Sequence, residues 1–244
     1  MSISVNSLLY KIDQRLNKLS SNVHQEIPLE DKILALNEAQ IKLIKTKFSG
    51  INTPTKLGFD AYKKRYQDIE NLLVDFNENS LSLTEVNSQI NQWEAPLSEL
   101  SPDYMLFVNA YLVADKGRCK NRIIWINPDL VKHGDIQFLL NNDDFKPSFE
   151  YQETFNTITG NDIAVFTDGT FTPKTLKVLY IRYPEYIDKA GYVKFDGTDS
   201  TDNDCELVDY LEDELLDLAV TNLADYTENM AAAQTARVRS QTNE

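Results

Sequence analysis

The chain has 244 residues, 42% of them apolar and 25% charged, enough for one large or two small domains with a substantial core. No stretch approaches the roughly 18 consecutive apolar residues of a membrane helix, which excludes a helical membrane-spanning protein. The net charge of −14 is uneven: residues 1–70 hold eleven Lys/Arg against eight Asp/Glu, residues 71–140 five against nine, and residues 141–244 eight against twenty-one. So acidic a C-terminal part argues against sequence-specific DNA binding there, though DNA can slide past such a wall without sticking.

The first 95 residues read as helices. Leu8, Leu9, Ile12, Leu16 and Leu19 recur at helical spacing between Val5 and Leu19. Pro28, followed by Glu30 and Asp31, suits a helix start; Ile33, Leu36, Ile41, Ile44 and Phe48 form its stripe, and Gly50 its stop. A third helix is expected from about Thr55 to Phe76, and a short fourth after Ser82, carrying Leu83, Val86, Ile90 and Trp93. The opening MSISVNSLLYKIDQRL lacks a compact apolar run with a cleavage site, so a cytoplasmic setting, or a particle assembled there, is expected.

Beyond Pro96 the character changes. Residues 104–114 suit either a strand or a buried helix; DKGRCKNR reads as a turn and residues 123–127 as a strand. A helical turn at Ile136–Leu140 precedes three expected strands, Phe149–Ile158, Ile163–Phe166 and Leu176–Arg182, in an antiparallel meander. The polar loop 196–204 leads to a final helix, capped by Asp202 or Asp204 and reaching about Ala236. The fold class is thus α+β: a helical region 1–95, a β-rich region 96–200, and a long C-terminal helix with a tail, 201–244.

Catalytic and metal chemistry finds few handles. DGTDSTDNDCEL, begun at Asp196, places ligand-type residues at the first, third, fifth and seventh positions of a calcium loop. Thr201 stands where glycine is needed and Leu207 where the bidentate glutamate belongs, so a solvated capping loop is the better reading. Glu206, Asp209, Glu212, Asp213, Glu214 and Asp217 read as a solvated helix face favoured by the macrodipole. His133 beside Gly134 reads as a surface or capping residue. His24 and His133, with Cys119 and Cys205, have no zinc spacing, and free thiols are expected. No phosphate-binding glycine loop or nucleophile elbow is present. Lys63, Lys64 and Arg65, between Tyr62 and Tyr66, suit either a nucleic-acid contact or a charged face beside a tyrosine stripe.

The string HGDIQFLLNNDDFKPSFEYQETFNTITGNDIAVFTDGTFTPKTLKVLYIRYPEYID, with the acidic loop and LVDYLEDELLDLAVTNLADYTEN after it, resembles structural proteins of crAss-like tailed bacteriophages, the ring or adaptor proteins beneath the portal. The resemblance spans residues 133–235, a little under half the chain. It implies a twelvefold ring in the virion's head-to-tail connector, bridging portal and tail around a DNA channel, with no cofactor and no catalytic residue. Arg237 and Arg239, nearly the only cations of an acidic region, would pair with a neighbouring subunit or belong to a frayed end; Lys63 and Lys64 are further candidates for a subunit interface. Two other readings stay open: an acidic module that occupies a basic partner, and a metal-dependent hydrolase using the acidic loop.

Overall fold

The computed structural model describes residues 3–19, 27–49, 63–76, 79–126, 130–194, 197–226 and 238. The protein is α+β and divides into two compact units, one built from residues 1–71 and 184–244, the other from residues 72–183. Both chain termini thus belong to the first unit, and the second interrupts it in sequence.

Among the described residues, four α-helices make the first unit: α1 (Val5–Leu19), α2 (Leu29–Ser49), α3 (Lys63–Ile69) and, towards the far end of the chain, a helix over Glu212–Tyr226. α1 buries Leu8, Ile12 and Leu16, the spacing that aligns side chains on one face. α2 buries Ile33, Leu36, Leu43 and Ile44, and the last helix buries Leu215, Leu216, Ala219, Val220 and Leu223. Each such Leu, Ile or Val side chain contributes about 1.5–3 kcal/mol relative to exposure. Ion pairs fasten α1 to the last helix: Lys11 to Glu212 at 2.6 Å, and Arg15 to Asp213 at 2.5 Å and to Asp217.

The segment between Pro184 and that helix is pinned rather than solvated. Ile3 and Cys205 form a β-bridge. Asp204 Oδ1 accepts the Val5 N–H at 2.8 Å, so the aspartate expected to cap the last helix caps the first instead. Asp202 accepts the Ala190 N–H at 2.8 Å and pairs with Lys189. The last helix begins later than expected, after a 3-10 turn over Asp209–Leu211, and its described part ends at Tyr226.

Among its described residues the second unit holds ten strands and a short α-helix: β1 (Leu73–Val74), β2 (Leu81–Ser82), β3 (Thr84–Asn87), β4 (Gln92–Pro96), β5 (Tyr104–Lys116), β6 (Cys119–Ile126), α4 (Ile136–Asn141), β7 (Glu153–Thr154), β8 (Asn156–Thr159), β9 (Asp162–Phe166) and β10 (Thr172–Arg182). The helix over Glu212–Tyr226 is then α5. A six-stranded sheet runs β1-β10-β5-β6-β7, with β2 also on β10; a four-stranded sheet runs β3-β4-β9-β8. Among the described residues, only the β6–β7 pair is parallel. The core includes Ala110, Leu112, Ile124, Leu176, Val178 and Tyr180 of the larger sheet and Ala95, Ile163 and Val165 of the smaller. On the smaller sheet's other face, Phe155, Ala164 and Phe166 pack against Ile136, Leu139 and Leu140 of α4.

Three sequence expectations are corrected. The third helix is short in its described part, and its expected C-terminal turn is instead a 3-10 turn and β1. The fourth helix is replaced by β3 and β4. Leu83, Val86, Ile90 and Trp93 have helical spacing, but four apolar positions are too few to fix a period, and pairing of Gln92–Pro96 with β9 decides the conformation. The three-strand meander is broken as well: β8 and β9 form the expected hairpin, turning at Gly160 (φ +63°), but β10 crosses to the other sheet and pairs with β5. The ambiguous segment 104–114 is strand β5. Its alternation of buried Ala110, Leu112 and Ala114 with half-buried Tyr111 and Val113 is that of a strand with one face in the core.

Candidate functional site: the cationic β5–β6 hairpin

β5 and β6 pair antiparallel, from Tyr111 opposite Trp125 to Lys116 opposite Cys119. The turn passes through Gly117 at φ +56°, a left-handed conformation that glycine adopts without a Cβ clash. Lys116, Arg118, Lys120 and Arg122 crowd this tip, and no acidic residue occurs between Lys116 and Pro128. Gly117 through Ile123 are all exposed.

Asp115 organises the tip. The register shifts between Ala114 and Lys116, and Asn121 takes φ +52°, which asparagine tolerates. Asp115 Oδ1 accepts the Asn121 N–H at 2.6 Å, and Oδ2 lies 2.9 Å from Lys174 Nζ and 3.5 Å from Lys120 Nζ. The Asn121 N–H first, and then Lys174, hold the Asp115 carboxyl below its usual range. Lys116 pairs with Glu150 at 2.6 Å and sits 5.5 Å from the centre of the Phe149 ring. Among the described residues, no carboxylate lies within ion-pair distance of Arg118 or Arg122. Five cations here face two carboxylates, so the tip is net positive on a chain of charge −14.

The strand below the tip is uncovered. β7 pairs with β6 only at Trp125 and Ile126, so among the described residues no strand flanks Cys119–Ile124 on that side. On the sheet face turned away from the core, Ile123 (44% exposed) and Trp125 (58% exposed) stand beside Tyr111, and Phe76 packs 4.8 Å from the Tyr111 ring. The tip is a charged, solvent-exposed surface with an apolar row beneath it.

The residues singled out from sequence fare differently. Lys63 and Lys64 are exposed on the first turn of α3, far in sequence from the hairpin. Arg65 turns inward and is 4% exposed. Arg237 and Arg239 lie outside the described residues. His133 sits in an exposed 3-10 turn. Cys119 and Cys205 are free thiols, as expected, with Cys119 on the hairpin tip. Among the described residues, no group of three or more His, Cys, Asp or Glu is placed to hold a metal ion. The hairpin has a legible signal, the acid-free run KGRCKNR in an otherwise acidic stretch, but the turn expected there extends into β5 and β6.

No protein-family model matches this chain, and no curated protein matches it. Among the described residues, no helix is long and apolar enough to cross a membrane.

Proposed function

We propose that this chain is a structural subunit of the head-to-tail connector of a tailed bacteriophage. In that role it is one copy of a ring beneath the portal, bridging portal and tail around the DNA channel, and it works by rigid positioning rather than by chemistry. The observation that carries this reading is the separation of charge: a cationic hairpin tip on a chain of net charge −14 whose residues 141–244 are strongly acidic. Surfaces of opposite sign at different places on one subunit favour heterologous contacts between copies, the kind that close into rings. The phage-like stretch supports it from the sequence side, since residues 136–182 supply α4 and β7 to β10, including the strand that pairs with β5.

The acidic loop gives less support to the hydrolase reading. Asp188 is 2% exposed and accepts hydrogen bonds from Tyr192 Oη and the Thr201 N–H, while Asp202 and Asp204 accept backbone N–H groups. Their carboxylates are directed at separate partners within the chain instead of converging on a shared cation.

The test is the composition of gradient-purified phage particles from the source of this sequence. Quantitative peptide mass spectrometry is expected to find the chain at the copy number of the portal, about twelve per particle for a cyclic ring. Its absence from intact particles contradicts the proposal.

A further inference from the structure

We infer that the β5–β6 hairpin tip docks on the acidic face of the helical unit of a second copy of this chain, around Glu70 and Asp209. The inference rests on the ring reading and names the contact that would build the ring.

Three observations select this occupant. The tip presents Arg118 and Arg122 in exposed positions with no carboxylate of their own among the described residues, and Asp115 fixes the backbone that carries them. A pre-organised tip orders little further on binding, so less of the contact energy is offset by lost entropy. Second, the helical unit offers the complementary sign. Glu70 is exposed at the end of α3, and the neighbouring Asn71 Nδ2 donates to the Glu206 backbone carbonyl at 3.1 Å. That bond sets Glu70 beside the segment carrying exposed Asp209 and Tyr210, the latter 55% exposed. Acidic groups and a half-exposed tyrosine together form a surface that arginines recognise by charge and by stacking. Third, the open edge of β6 would otherwise invite a two-fold pairing of β6 with its own copy. Such a pairing would bring Lys120 and Arg122 against their like-charged equivalents, which costs energy. What remains is a head-to-tail contact between unlike surfaces, and repetition of that contact gives a ring where the rotation closes.

Duplex DNA is the competing polyanion, and the net charge of −14 weighs against it, because the rest of the chain repels phosphate over a Debye length of about 8–10 Å. A second competitor is that the cations only guard an exposed strand edge from aggregation.

The experiment is a charge-swap series followed by sedimentation and native mass measurement at low and high salt. One variant carries Arg118→Glu with Arg122→Glu; the other carries Glu70→Lys with Asp209→Lys. All four positions are exposed, so each variant is expected to keep the wild-type circular dichroism melt. Self-association of the wild type is expected to weaken with salt, and in either variant alone by about tenfold or more. An equimolar mixture of the two variants is expected to restore association, since each negative tip then meets a basic face and each positive tip an acidic one. Oligomers that persist in the tip-reversed variant overturn the proposed contact and leave the ring reading standing. A wild type monomeric at low salt overturns both. A variant that keeps its oligomers but loses electrophoretic retardation of a short duplex assigns the tip to DNA, and one that precipitates without change in specific oligomers assigns it to edge protection; either result overturns the inference.

Discussion

The side-chain amide of Asn37, on α2, makes both hydrogen bonds of a β-bridge to the backbone of Ile187, accepting its N–H at 2.9 Å and donating to its carbonyl at 2.9 Å. Asn37 is 6% exposed and also donates to the Ile33 carbonyl at 2.8 Å. One residue thereby anchors a segment 150 positions away onto the first half of the helical unit. Asn79 does the same for β10 in the other unit, accepting the Val178 N–H at 2.9 Å. Replacing Asn37 by Ala strands a buried N–H and a buried carbonyl, each worth about 1–3 kcal/mol when unsatisfied. Asn37→Ala is expected to lower unfolding free energy by about 2–4 kcal/mol in a urea titration. A loss below about 0.5 kcal/mol would mean that water replaces the amide there.

Lys47 sets up a second long-range dependence within the helical unit. Its ammonium is 1% exposed, paired with Glu214 of α5 and 3.5 Å from Asp68 of α3, which in turn lies 4.0 Å from Arg65. Lys47→Met leaves two buried carboxylates without their shared cation and is expected to cost about 3–5 kcal/mol. Adding Glu214→Leu is expected to recover a large part of that loss, because a buried pair removed as a pair loses its desolvation cost too. A double variant as unstable as the sum of the two singles would show that the pair contributes through packing alone.

The two thiols are expected to react at very different rates. Cys119 is exposed on the hairpin tip, whereas burial pushes the Cys205 thiol up to about 11. At pH 8 a thiolate-directed reagent is expected to modify one of the chain's two cysteines in the native protein and both after denaturation. Peptide mapping identifies the fast site, and labelling of Cys205 at a comparable rate would show that the Ile3–Cys205 bridge opens readily.

Acid sensitivity is expected to centre on Asp188. Burial acts to raise its carboxyl, but the Lys194 ammonium, the Tyr192 hydroxyl and the Thr201 and Lys189 N–H groups outweigh it and hold the group below its ordinary value of 3.8. A depressed carboxyl contributes stability that is fully present above the unfolded value and is lost as pH falls through the folded one. Melting temperature is therefore expected to fall on acidification below about pH 4, and Asp188→Asn is expected to flatten that limb while lowering stability at neutral pH. An unchanged acid limb in the variant would move the origin to other carboxylates, such as Asp202, which the Ala190 N–H and Lys189 also hold low.

How legible the chain was depended on the range over which each signal acts. α1 and α2 were readable because their apolar stripes are long and regular, so local periodicity agrees with burial. β3 and β4 were not, since their strand state comes from β9, some seventy residues onward. Neither Asp202 nor Asp204 caps the last helix as expected: Asp204 accepts the N–H of Val5, 199 positions away, and Asp202 that of Ala190, partners that local sequence does not indicate. The hairpin's charge is visible in KGRCKNR, while the bonds across its tip need Lys174 and Asn121 to meet at Asp115, a convergence that only the folded sheet makes.

The most direct test of the central claim is native mass spectrometry of the purified protein over a concentration series, with negative-stain images of the same samples. The connector reading predicts closed rings, about twelve copies each, growing with concentration and visible as annuli. A strict monomer at every concentration, with no ring in any image, contradicts it and favours an acidic module that occupies a basic partner.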